Sequence, residues 1–161
     1  MIPAVSKFVA SRLRRFVSVG LALLMCAAAL TVTEAAPAHA ATTCYRASCN
    51  FQSPVNTGCS SSSAGTLESF SWNGVYVELR LSGVCRAAWT KSTYPRCDNG
   101  AAGTIYTEAF YDWQGTQWAA TTSAPISCNG VSTYTNMLSF YFYVRSCIHL
   151  YSGIRHCTSL H

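Results

Sequence analysis

Few residues in this chain carry the equipment for chemistry. Beyond residue 40 there are three histidines, His149, His156 and His161, five carboxylates and many serines, from which a Ser-His-Asp arrangement can be composed on paper. The G-x-S-x-G turn that presents such a serine is absent. His161 is the last residue, where chains fray, and His149 and His156 read as surface imidazoles flanking Cys147 and Cys157. Glycoside hydrolysis asks for two carboxyls ~5–10 Å apart. Glu108 and Asp112 share a strand face, but four residues at ~3.3 Å each put them ~13 Å apart. Glu68, Glu78 or Asp98 could supply a partner from another strand, though nothing in the sequence constrains one, and the carboxylates are too few and dispersed for a calcium loop. A small hydrolase is therefore the second reading, with no catalytic residue, metal or cofactor assigned.

The aromatic residues say more. Residues 41–161 hold 18 Phe, Trp and Tyr against 12 charged side chains, more rings than one core accommodates. Strand parity places Tyr141 and Tyr143 opposite Phe140 and Phe142, and Trp113 and Trp118 flank the turn pair Gln114-Gly115. Exposed rings of this kind stack against polysaccharides or protein partners; a second covered face would bury them instead. An extracellular binding or interaction module with Tyr141, Tyr143, Trp113 and Trp118 as contacts is the leading reading.

The expectation of an extracellular setting comes from the first forty residues. Lys7, Arg12, Arg14 and Arg15 precede an apolar run at 17–32 and the small-residue site Ala38-His39-Ala40, the three parts of an export signal, with cleavage expected between Ala40 and Ala41. The run is shorter than the ~20 residues of a spanning helix. Met25 before Cys26 argues against lipid attachment, and Arg14-Arg15 leaves the twin-arginine route open beside the general one. The mature chain then carries seven Lys and Arg against five Asp and Glu, a formal +2 instead of +5. Its cations are scattered, which argues against a nucleic-acid partner. Eight cysteines remain: Cys44, Cys49, Cys59, Cys85, Cys97, Cys128, Cys147 and Cys157. With an even count, no C-x-x-C pair and an oxidising destination, four disulfides are expected.

The elements that must position these residues are strands. Residues 41–65 are rich in Ser, Thr and Cys without a sustained period and read as a disulfide-tied loop. Val75, Val77, Leu79 and Leu81 alternate with Tyr76, Glu78, Arg80 and Ser82. Asn73-Gly74 joins this strand to residues 67–72 as a two-residue hairpin. That register sets Trp72 against Val75 and Phe70 against Val77 on the core face, with Glu78 and Arg80 as a solvent-screened outer pair. Further strands are expected at 84–90, 104–113, 117–121 and 137–147 and near 148–155, separated by turn pairs such as Asp98-Asn99-Gly100. Cys85 and Trp89 share one strand face, and Trp89 reads as a core ring packed on a disulfide. The pattern specifies one all-β domain at 41–161, a small disulfide-stapled antiparallel sandwich or barrel behind a signal peptide at 1–40.

Three segments carry a family resemblance: C-Y-R-A-S-C at 44–49, S-P-V-N-T-G-C at 53–59 and V-E-L-R-L-S-G-V-C-R-A-A-W at 77–89. Across residues 44–118 the chain resembles the YjfA-like family of secreted bacterial domains, which has no established function; because its recognisable core ends before Cys97, the resemblance implies that the first four cysteines pair among themselves and the last four likewise. It departs at Phe51 and Ser53, where members carry Gly and Asp. Similar domains stand behind a helix-turn-helix and a membrane segment in other proteins, which implies an external sensing or binding part.

Overall fold

The computed structural model describes residues 42–61, 63–95, 103–128 and 130–161. The expected signal, Cys97 and the Asp98-Asn99-Gly100 turn lie outside the described residues. In chain order the strands are β1 (Ala64–Trp72), β2 (Val75–Ser82), β3 (Ala87–Thr93), β4 (Gly103–Phe110), β5 (Trp118–Pro125), β6 (Thr133–Tyr134), β7 (Leu138–Ser139), β8 (Tyr143–Leu150) and β9 (Arg155–Cys157), after a 3-10 turn at Arg46–Cys49.

Asn73 and Gly74 both adopt positive φ, 46° and 80°, the backbone a two-residue hairpin needs, so β1 and β2 pair as Trp72↔Val75 and Phe70↔Val77. Beyond Glu68 the register slips: Thr66 faces Arg80 and Glu68 faces Leu79, leaving Leu67 as a bulge. Glu68 shares the face of Phe70 and Trp72 by simple alternation, and the bulge carries Thr66 onto the other face, opposite Arg80. β3 continues this sheet, and β6 and β7 both pair with β3. A second sheet has the order β5-β4-β8-β9. All pairings are antiparallel, and β2 and β3 pack against β4 and β8, so the fold is an all-β sandwich. The described residues belong to one compact unit, His39–His161. Among them no helix is long and apolar enough to cross a membrane.

The inner faces form two apolar clusters with a hydroxyl layer between them. Val75, Val77, Ile105 and Ile148 belong to one, and Leu79, Ala88, Ala109, Leu138 and Val144 make the other. Between them Thr90 Oγ1 lies 2.9 Å from Thr107 Oγ1 and 2.7 Å from Ser146 Oγ, and Thr107 Oγ1 lies 2.7 Å from Thr135 Oγ1. Thr90 also donates to the Tyr106 carbonyl at 2.6 Å. Each of these four hydroxyls is thereby partnered, at a net ~1 kcal/mol per bond, and the network ties the two sheets in one registration.

The outer face of the first sheet is roofed by residues 42–61. Trp89, 1% exposed, packs there with Cys49, Cys59, Cys85 and Met137, as expected of a ring on a disulfide. The bridges are Cys44–Cys49, Cys59–Cys85 and Cys147–Cys157, each inside one of the two expected groups; Cys128 is also disulfide-bonded.

Several expectations need correction. The strand expected at 137–147 is two strands, because the chain turns at 140–142 with the Phe140 amide on the Arg86 carbonyl at 2.9 Å and crosses from one sheet to the other. Phe140 and Phe142 are half-buried turn residues that imitate a strand period. β3 begins at Ala87, not 84, because the Arg86 and Cys85 amides close a turn on Ser82. Glu78 is buried, not solvent-screened, held by Lys91 at 2.9 Å, Arg80 at 3.3 Å and the Thr66 hydroxyl at 2.8 Å. Burial opposes its ionisation, but these partners outweigh burial and hold its pKa below the ordinary glutamate value. Finally, His161 is docked, not frayed: its amide and carbonyl pair with Val144 at 3.0 Å each.

Candidate functional site

Five exposed rings gather where β4 ends and β5 and β8 begin. Residues 111–117 form the turn. Asp112 accepts from the Thr116 hydroxyl at 2.6 Å, the Gln117 amide at 2.7 Å and the Thr116 amide at 3.0 Å, and the Thr116 hydroxyl leads in lowering its pKa. Gly115, at φ 71°, sits so close to Leu160 that a Cβ would fall 2.9 Å from Leu160 Cδ1. The stiffened turn displays Tyr111 at 63% and Trp113 at 67% exposure. Trp118 opens β5 opposite Phe110, and a bulge at Ala119 turns its ring onto the outer face, where it meets Phe110 edge-on at 5.1 Å. Tyr143 flanks Phe110 on β8. Trp118, Phe110 and Tyr143 thus make a row across three strands, Trp118 51% and Tyr143 42% exposed.

Beneath that row lies a buried charge. Glu108 is bonded by Arg145 Nε at 2.9 Å and by Arg155, beside the Cys147–Cys157 bridge. The Arg145 guanidinium also lies over Phe110, 4.9 Å from the ring centre. Tyr111 meets Phe142 edge-on at 5.3 Å and joins this turn to the β7–β8 turn. On that second turn Tyr141 is 66% exposed and carries the Arg46 guanidinium, 4.9 Å from its ring centre.

All four rings expected to be exposed are exposed, at one end of the sandwich. Tyr143 is exposed as an outer strand residue, Tyr141 because the expected strand breaks into a turn. Tyr111 was missed: it reads as the interior of a strand until β4 is seen to stop at Phe110. Arg46 and Arg86 were missed as well, being two among seven scattered cations.

The hydrolase candidates do not converge. Glu108 is engaged by its arginines and Asp112 by its own turn. His149 is exposed on the outer face of β8 opposite Thr104. His156 is no surface imidazole: it lies parallel to Trp72 at 4.8 Å and meets Phe70 edge-on at 4.6 Å. His161 bonds Glu68 at 2.8 Å, and the Ser159 amide bonds the same oxygen at 2.9 Å. Burial opposes ionisation of Glu68, but these two partners dominate and lower its pKa. Two clusters have metal-like proximity, Cys44, Cys49, Cys59 and Cys85 with sulfurs within 4.8 Å, and Glu108 with Cys147 and Cys157. Their sulfurs are disulfide sulfurs, and the metal-binding form of cysteine is the thiolate.

A family model described as a protein of unknown function (DUF2690) matches residues 47–145. The chain belongs to that family. The DUF2690 match runs from the 3-10 turn into β8 and so takes in all five exposed rings, while the Cys147–Cys157 bridge and the docked C-terminal residues lie past its end. No curated protein and no solved structure matches the chain.

Proposed function

We propose that residues 41–161 work outside the cell, after export and removal of residues 1–40, as a binding or interaction module for a polysaccharide or a protein surface. The observation that carries this is the gathering of Tyr111, Trp113, Trp118, Tyr141 and Tyr143 at one end of a rigid sandwich, with a stiffened turn and a strand row holding them. Aromatic rings with polar edges supply contact area at low entropic cost. Several bridges favour an oxidising compartment, and the YjfA-like resemblance of residues 44–118 favours a secreted bacterial domain. Scattered, mostly ion-paired cations argue against nucleic acid.

The test is retention of the oxidised 41–161 protein on insoluble cell-wall and plant polysaccharides, run beside chromogenic esterase, glycosidase and peptidase substrates. Retention without turnover is expected, weakened by Trp113→Ala or Tyr141→Ala at unchanged melting. Turnover abolished by His149→Ala or Glu108→Ala would replace the module with a hydrolase.

A further inference from the structure

Six cationic side chains, Arg46, Arg80, Arg86, Lys91, Arg145 and Arg155, lie among the described residues. Glu78 takes Arg80 and Lys91, and Glu108 takes Arg145 and Arg155. The two without a carboxylate among the described residues, Arg46 and Arg86, line a single cavity of about 130 Å³ with Phe140 and Tyr141. In a chain with so few charges, two arginines that line one hollow and have no carboxylate among the described residues are an arrangement that an incoming anion relieves.

The hollow is built rather than incidental. Arg46 and Arg86 are two of the four non-glycine residues with positive φ among the described residues, at 54° and 52°. Their backbones are fixed to neighbouring elements: the Arg46 amide donates to the Cys85 carbonyl at 2.7 Å, and the Arg86 carbonyl accepts from Phe140 at 2.9 Å. The Cys44–Cys49 and Cys59–Cys85 bridges brace the same corner. The Arg46 guanidinium lies against Tyr45 at 5.0 Å and Tyr141 at 4.9 Å, and its Nη1 donates to the Tyr141 hydroxyl oxygen. This fixes the plane of its fork before any ligand arrives, the condition under which arginine binds carboxylate or phosphate with geometric selectivity.

We propose that the Arg46–Arg86–Tyr141 hollow is an oxyanion site, and that the polymer taken by the adjoining rings is an acidic glycan that seats a carboxylate or phosphate group there. The glycan part rests on the binding-module reading; the oxyanion site does not. The volume, against ~30 Å³ for one water, admits an anionic group and its immediate attachment, not a chain segment. Stacking on Tyr141 and its neighbours then carries the sugar rings.

The experiment measures affinity of the oxidised 41–161 protein for matched polymers, polygalacturonate against neutral galactan and phosphomannan against neutral mannan. The acidic member of a pair is expected to bind about tenfold tighter, through charge-assisted bonds that weaken as salt rises. Which pair discriminates separates carboxylate from phosphate. The Arg46→Gln/Arg86→Gln variant should bind both members equally at unchanged melting. Arg46→Lys/Arg86→Lys, which keeps the charge and loses the planar fork, should recover only part of the preference. Equal affinity for acidic and neutral members, or a preference that survives in the Gln variant, overturns the proposal. Should no polymer bind, titration with galacturonate and inorganic phosphate followed at the arginine Nε resonances decides: shifts at Arg46 and Arg86 keep the oxyanion site and sink the glycan reading, and unmoved resonances sink both.

Discussion

Trp89 and Trp118 stand on corresponding surfaces, the outer faces of the two sheets, and meet opposite fates. Both sheets also draw a glutamate out of solvent between two cations, Glu78 with Arg80 and Lys91, Glu108 with Arg145 and Arg155. The faces therefore match in charge design and differ in cover. Residues 42–61, pinned by Cys59–Cys85, roof Trp89, whereas among the described residues no segment roofs Trp118. Strand parity decides which face a ring takes; a separately tethered segment decides whether that face is core. The uncovered rings, held by as much local structure as the covered one, are the part of the molecule fitted for contact with something else.

That contrast can be broken first at Trp89. Trp89→Ala should cost ~3–5 kcal/mol, read from denaturant melts, because a large ring leaves a cavity among bridges that relax little. Trp89→Phe should cost less, since it also removes an indole N–H that has no partner. Opening the tether by Cys59→Ser/Cys85→Ser should cost ~2–4 kcal/mol and expose Trp89 to fluorescence quenchers. Unchanged quenching in that variant would show that the roof stays on without its bridge.

Acid should act more gently. The pKa of Glu78 is lowered on folding, so its ion pairs contribute fully above the ordinary value of 4.5 and are lost as pH falls through the depressed folded value. Glu68 and Asp112 shift the same way. Melting temperature should hold near neutrality and fall below pH 4.5, and Glu78→Gln should flatten that acid limb, at a neutral-pH cost of ~1–3 kcal/mol. A variant with the acid limb intact would assign it to other carboxylates.

The hairpin was legible residue by residue because Asn73-Gly74 fixes a register and β2 alternates cleanly. So was Trp89 on its bridge, although Cys85 sits in the turn before β3 rather than on the strand face that carries the ring. The break at 140–142 was hidden, because Leu138, Phe140, Phe142 and Val144 keep a strand period through a turn that a long-range bond to Arg86 closes. The hydroxyl layer was hidden for a related reason: Thr107, Ser146 and Thr90 look like ordinary strand polar residues until pairing sets them at one depth. At the candidate site, exposure of four rings followed from turns and parity. The arginine corner depends on backbone conformations at Arg46 and Arg86 that no local signal announces.

If the bare aromatic end binds while the roofed face supports the fold, one paired measurement separates the two roles. Affinity for a retained polysaccharide and melting temperature are determined for Trp118→Ala and Trp89→Phe side by side. Trp118→Ala should lose about tenfold or more in affinity, as removal of a stacking ring does, with stability changed by less than ~0.5 kcal/mol, and Trp89→Phe should melt early yet bind normally when folded. Equal loss of affinity in both variants, or full affinity in Trp118→Ala, would contradict that division of roles.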